Sequence, residues 1–394
     1  MFGELANSVA APVMKKEMVK HMTETYFGRK TGKLGYGNLR MPKVDSKLDI
    51  ATACKMTDAF LEAGYSYFDT CYAYEESEKA LGESLVKRHP RELFQINTKL
   101  SLLFTKNAGE MQKMFETSLE RLGTDYIDYY FLHSLNADLL KKADNFDAWG
   151  FLKGLKEKGL VKHIGFSFHD TPELLDETLS NHPETELVLL QLNYLDWDDP
   201  NIQSRRLYET ARKHNVPISV MEPCKGGWLA YEHSEAGKIL KEANPEASVA
   251  SWAFRFLAGL EGIMTILSGM GTLAEVEDNI KTFNDFSPLS EEEHKIIEKA
   301  VGTIKATPSS PCTDCRYCMP HCPKNIPIPR ALQLYNSYLT HKNPDSLRHL
   351  YFMISVTSPL PRECVKCGAC EKVCPQRINI SDYLEKLTEI ACAE

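Results

Sequence analysis

Eight cysteines near the end of the chain carry its densest chemistry. They form two runs of identical spacing, Cys312-x2-Cys315-x2-Cys318-x3-Cys322-Pro323 and Cys364-x2-Cys367-x2-Cys370-x3-Cys374-Pro375. Three thiolates at three-residue intervals wrap one corner of an iron–sulfur cubane without a long span of chain, and this is the spacing of [4Fe–4S] ligands. Disulfide frameworks suit small secreted chains, and C-x2-C pairs also build zinc sites, but neither calls for two copies of the whole run with its proline. A second set of polar residues lies in the front of the chain. Asp69, Tyr74, Lys99 and His133 each stand at or just beyond the end of a short, apolar, strand-like run. An ammonium beside a phenol stabilises phenolate, a carboxylate holds that ammonium, and an imidazole bonds a substrate oxygen. Taken singly, such residues serve as caps, salt-bridge members or core tyrosines. At successive strand ends they read as one acid–base site.

Elements able to position them are legible as repeats. Strand candidates fall at 33–38, 67–71, 93–99, 126–133, 161–168, 187–194, 217–223 and 262–269, each followed by a segment at helical spacing. Pattern alone fits an open doubly wound sheet or a barrel, and eight units favour a closed (β/α)8 barrel. Neither G-x-G-x-x-G nor G-x4-G-K-[ST] occurs, which removes the usual support for a Rossmann or P-loop domain. The expected organisation is an N-terminal extension over 1–25, capping the barrel bottom or packing on a neighbour, then a barrel over 26–300. A small α+β domain with two clusters follows over 301–394, with a helical insertion at 324–363. Alternating Ile326 and Ile328, and Ile378 and Ile380, predict short strands or turns over the clusters. Cys392 belongs to no motif.

Composition narrows the class. The chain has 394 residues, 43% hydrophobic, with a formal net charge of −8. That content excludes wholesale disorder, and the acidity argues against a nucleic-acid binder, which needs a basic face. No run of 18 apolar residues is present for a membrane span, and the N-terminal lysines follow the apolar patch, the reverse of a secretory signal. A soluble, cytoplasmic protein is expected.

The cysteine segment resembles two-cluster ferredoxin domains. The resemblance implies a crossed pattern, in which the fourth cysteine of each run ligates the other cluster. Cys312, Cys315, Cys318 and Cys374 would hold one cluster, and Cys364, Cys367, Cys370 and Cys322 the second. Further forward, FDTCYAYEESEKALG (68–82), INTKL (96–100), DYIDYYFLHS (125–134) and KHIGFSF (162–168) resemble the aldo-keto reductases over residues 26–285. That resemblance implies a (β/α)8 barrel with a nicotinamide cofactor at its mouth, interconverting carbonyls and alcohols. Tyr74 would be the proton donor, Lys99 would lower its pKa, Asp69 would orient Lys99, and His133 would position the carbonyl oxygen. Ser167 and Gln191 match positions that bond the cofactor carboxamide, Asn193 sits nearby, and Asn279 matches the adenine-side asparagine. The two-part architecture resembles the iron–sulfur branch of that family found in anaerobes.

Departures from the pattern gather around the cofactor. Phe168 stands where the family commonly has Asn, and Met221 where an aromatic ring stacks on nicotinamide; a thioether also lies on a flat ring. After the last strand, Gly269, Met270 and Glu275 offer no base for a 2′-phosphate. Lys225, Gly226 and Gly227 are expected to cradle a phosphate instead. The cofactor stays open between NADH, NADPH and FMN, the last because flavin bridges two-electron chemistry and one-electron clusters. Tyr72, Phe168, Trp197 and Trp228 are expected as apolar walls for a small carbonyl or alcohol substrate. The clusters transfer electrons or fix a small domain structurally. The competing function is an electron-transfer or redox-sensing protein, served by a carrier such as ferredoxin or flavodoxin. Radical or dehydrative chemistry is a third reading, without a residue signature.

Overall fold

The computed structural model describes residues 23–392 apart from 46, 75, 307–308 and 356. Most of the extension expected over 1–25 lies outside those residues. Eight parallel strands close into a barrel: β1 (Leu34–Gly37), β2 (Tyr67–Asp69), β3 (Gln95–Leu100), β4 (Ile127–Leu135), β5 (Val161–Phe168), β6 (Leu187–Gln191), β7 (Ile218–Met221) and β8 (Ile263–Ser268). Each strand pairs with the next in sequence, and β8 closes on β1 through Ile266 and Leu34. Helices fill the connections, among them α1 (Ile50–Glu62), α2 (Gly109–Leu122) and α3 (Leu273–Asn284).

These runs become strands because side chains alternate between two apolar environments. In β4, Tyr130 and Leu132 pack outward into the layer shared with the helices. Tyr129 and Phe131 turn inward, into a plug with Tyr67, Leu187, Leu189, Met264 and Leu267. A hairpin of Thr23–Tyr26 and Arg29–Gly32 lays Tyr26 and Phe27 against that plug. The barrel interior is therefore solid, and polar side chains are left for the C-terminal strand ends.

The cysteine-rich segment has a core of its own, built from Ile326, Ile328, Leu332, Tyr351, Ile354, Leu384 and Leu387 among others. The expected α+β character is met on its helical side only. Among the described residues from 309 onward, every element is a helix or a turn, with longer helices α4 (Ile328–His341), α5 (Pro344–Ile354) and α6 (Ile380–Cys392). Ile326 and Ile378 lie in irregular chain between turns and helices, whereas Ile328 and Ile380 begin α4 and α6, the first with proline in its opening turn. Proline suits that position because the first helical N–H has no partner to lose.

Candidate active site

At the mouth, β2 and β3 bring Asp69 and Lys99 together. Lys99 Nζ lies 2.8 Å from both Asp69 carboxylate oxygens and 2.6 Å from the carbonyl of Thr70. Asn97 donates to the same carboxylate at 2.7 Å, and Asn38 fixes the backbone beneath it through the Asp69 carbonyl. Burial pushes the Asp69 carboxyl up, and Lys99 and Asn97 pull it back. With two short bonds to one ammonium, the pair stands as ions.

Tyr74 sits over this pair, its ring centroid 5.2 Å from Lys99 Nζ. Its phenol is pushed well above the ordinary tyrosine value, first by burial and then by the neighbouring hydroxyl of Tyr317. The expected depression by Lys99 does not lead here, because Asp69 already balances that ammonium. His133 faces Tyr74 edge-on at 5.9 Å between centroids. Burial and the Lys99 charge drive the His133 pKa well down, so the imidazole is neutral. Its Nδ1 contacts Ser101 Oγ at 2.7 Å, and Cys71 Sγ lies 3.3 Å away. Burial lifts the Cys71 thiol to about 12, which leaves no thiolate to act as a nucleophile.

His133 is aimed by an irregularity in its strand. The β4–β5 register shifts between Leu132 and Leu135, and Ser134 adopts a left-handed φ of 58°. Ser167 Oγ secures that kink by accepting from the Ser134 N–H at 2.6 Å. Ser167 was expected on a cofactor carboxamide; its oxygen accepts from the backbone beside His133, and its O–H remains a donor.

The expected cofactor residues divide. Gln191, Met221, Gly226, Gly227, Gly269 and Asn279 line a cavity of about 580 Å³ that also reaches Asp69 and Tyr74. Asn279 donates to Ser268 Oγ at 2.8 Å. Asn193 points away, into Asp196 and the Glu222 carbonyl. Lys225 corrects the expected phosphate cradle: its ammonium is buried, ion-paired with Asp196 and 3.1 Å from Gln376 Oε1. Gly226 sits so close to the cysteine-rich segment that a Cβ there would meet Thr313 at 2.7 Å, and its φ of 65° also favours glycine. At the far end Glu275 caps α3, its carboxylate accepting from the N–H groups of Gly271 and Thr272. An anion-binding helix start is thereby taken by the protein's own carboxylate. The expected apolar walls lie elsewhere: Phe168 packs on Phe166, Trp197 on Tyr208 and Phe256, Tyr72 under Arg121, and Trp228 is absent from the cavity lining.

Three residues of this mouth escaped the sequence reading. Arg40 lines the cavity and donates to the Thr313 carbonyl at 2.5 Å. Tyr317 Oη lies 2.8 Å from His133 Nε2. Gln376 pairs with Gln191 through reciprocal amide bonds of 3.1 and 2.9 Å. Tyr317 and Gln376 come from the two cysteine runs, where the cysteines alone drew attention. A bulky or amide side chain inside such a loop was the available signal. The cavity suits an organic cofactor: Glu222 Oε2 is buried at its wall without a hydrogen-bond partner. A second cavity of about 570 Å³, lined by Ala73, Phe104, Arg316 and Met319, shares Tyr74, Cys315, Tyr317 and Arg40 with the first.

The eight cysteines gather as two fours. Cys312, Cys315, Cys318 and Cys374 line one small cavity, and Cys322, Cys364, Cys367 and Cys370 line another. Each set takes its fourth member from the other run, the arrangement that crossed ligation of two cubanes requires.

Comparisons with known proteins match two stretches of the chain. Residues 33–301 match the family model described as the aldo/keto reductase family, and residues 311–379 match a 4Fe-4S dicluster domain. A methylglyoxal reductase, DkgA, of Yersinia pestis is 29% identical over 281 residues, covering 69% of this chain and 90% of its own. A 9,11-endoperoxide prostaglandin H2 reductase of Trypanosoma cruzi is 27% identical over 275 residues, covering 67% and 89%. Among solved structures, an aldo/keto reductase from Brucella melitensis superposes with a TM-score of 0.54 at 26% identity, covering 69% of this chain and 96% of its own. The aldo-keto reductase AKR11C1 from Bacillus halodurans gives 0.57 at 22% identity, covering 72% and 96%, and supports the fold.

Proposed function

The chain belongs to the aldo/keto reductase family and carries a 4Fe-4S dicluster domain, and from that premise we propose that it interconverts a small carbonyl and its alcohol at the barrel mouth. The observation that carries this reading is the buried Lys99–Asp69 pair beneath Tyr74, with a neutral His133 opposite. Burial keeps the Tyr74 proton on its oxygen at rest, so the phenol begins the reductive direction as a donor. As the proton leaves for the substrate oxygen, Lys99 offsets the charge growing on the phenol. His133 Nε2 faces the same place and orients that oxygen, with Ser101 fixing the ring through Nδ1. A nicotinamide, when bound, would supply the hydride to the carbonyl carbon. Gln191, Met221, Gly269 and Asn279 would hold it, and Glu275 at the start of α3 favours NADH over a cofactor bearing a 2′-phosphate.

A second reading adds to the first. Cys315, a ligand of the cluster nearer the barrel, borders the cavity that Tyr74 also borders. A redox-active ligand there would lie against that cluster, which favours electron exchange over a purely structural cluster. Cys367, on the other cluster, is exposed and gives an external one-electron carrier its point of approach. Replacing Tyr74 with Phe tests the main reading: carbonyl reduction should fall by about 10²–10⁴-fold with nicotinamide affinity retained. Undiminished turnover would remove the proton-donor role.

A further inference from the structure

The two cysteine runs do more than surround clusters, because each sends one side chain into the barrel mouth. Tyr317 lies between Cys315 and Cys318, and Gln376 follows Cys374 by two residues; all three cysteines line the same cluster cavity. The Tyr317 hydroxyl meets His133 Nε2 at 2.8 Å, and the Tyr74 ring stands edge-on to the same imidazole, 5.9 Å between centroids. A carbonyl oxygen reduced by this site would need that same imidazole nitrogen, with Tyr74 beside it. Gln376 presents a primary amide to Gln191, oxygen and nitrogen both engaged, with Lys225 reinforcing the oxygen. A nicotinamide carboxamide is the same functional group and would ask Gln191 for the same two bonds.

We propose that Tyr317 and Gln376 are built-in occupants of the substrate-oxygen and carboxamide seats, and so decide which ligands reach the tetrad. The inference rests on the carbonyl–alcohol reading for the identity of those seats. Gln376 is buried, 6% exposed, and Tyr317 is partly buried; both are tied by sequence to cysteines of the cavity nearer the barrel. A ligand must displace them, so its apparent affinity falls by the fraction of molecules in which they have withdrawn. Tyr317 also stands in the wall shared by the two cavities, where it separates the cofactor side from the side lined by Phe104 and Met319. A slim carbonyl able to slip past a phenol is favoured over a bulky one.

The test uses the full-length protein purified anaerobically, with iron content and visible absorbance showing both clusters retained. Gln376→Ala should tighten NADH binding, read by nicotinamide fluorescence, by about tenfold. Tyr317→Ala should lower KM for methylglyoxal, the probe carbonyl, by a similar factor, and should admit bulkier aldehydes. Tyr317→Phe, which removes only the hydroxyl and keeps the ring packed in its loop, should show part of the same gain. Should Tyr317→Ala lose its clusters, the Phe variant and Gln376→Ala decide. Values within twofold of wild type in those cluster-replete variants overturn the inference. Adding Tyr74→Phe to the opened variants separates the two claims. Tighter binding with turnover that survives loss of the phenol would sink the proposed function and leave the occupants standing.

Discussion

Two buried lysine–aspartate pairs stand across the mouth from each other, and their difference is instructive. Lys99 and Asp69 belong wholly to the barrel: the ammonium spends its donors on Asp69 and the Thr70 carbonyl, and the carboxylate takes Asn97 as well. Lys225 and Asp196 are equally buried, but Lys225 also reaches Gln376 of the cysteine-rich segment. Asp196 keeps amide donors from Gln191 and Asn193 at 2.8 and 2.7 Å. One pair is therefore a fixed local charge under the phenol, and the other a fastening between two parts of the chain. Identical chemistry makes a local site or a docking contact according to what its remaining donors touch.

The contrast breaks if the two pairs respond alike to loss of their cations. Lys99→Met leaves Asp69 charged and buried with a single amide donor, and should cost about 3–5 kcal/mol of unfolding free energy together with activity. Adding Asp69→Asn should recover most of that stability in a denaturant titration while activity stays lost. Lys225→Met should cost less, about 1–3 kcal/mol, because two amides still satisfy Asp196. Its sharper mark should be faster amide hydrogen exchange in the loop carrying Gln376, with Lys99 and its surroundings unchanged. Equal costs, or unchanged exchange, would erase the distinction.

Acidification gives the smallest and most general effect. Burial lowers the His133 pKa far below its usual value and that of His169 to about 4. The unfolded chain binds these protons more readily than the folded one. The stability they contribute is therefore complete above about pH 6.5 and declines as pH falls, for His169 until about pH 4. Thermal unfolding followed across that window checks the sign. His133→Gln should flatten part of the slope.

Much of this arrangement was legible because it is local. The barrel strands are buried on both faces and announce themselves as apolar runs, and Asp69, Lys99 and His133 fall at their ends. The cysteine runs needed only spacing. What stayed hidden depends on contacts between distant parts of the chain. Tyr317 meets a histidine 184 residues earlier, and Gln376 a glutamine 185 residues earlier. Nothing in a cysteine loop states where its intervening side chains will point. Lys225 beside two glycines read as a phosphate cradle because Asp196, which claims it, comes from the loop after β6. Ile326 and Ile328 alternate as a strand would, but Pro327 between them and Pro329 just after remove the donors a sheet needs and begin a helix instead.

Crossed ligation would also order events in time. A ribosome releases the barrel first, and domains generally fold in the order they emerge. With Cys374 as its fourth ligand, the cluster nearest the barrel would need the second run, 56 residues beyond Cys318. Iron delivered to a nascent chain would find three ligands and no fourth. Assembly of that centre, and with it the seating of Tyr317 and Gln376, would wait until the second run has emerged, so a product truncated before it would carry a barrel with its mouth uncovered.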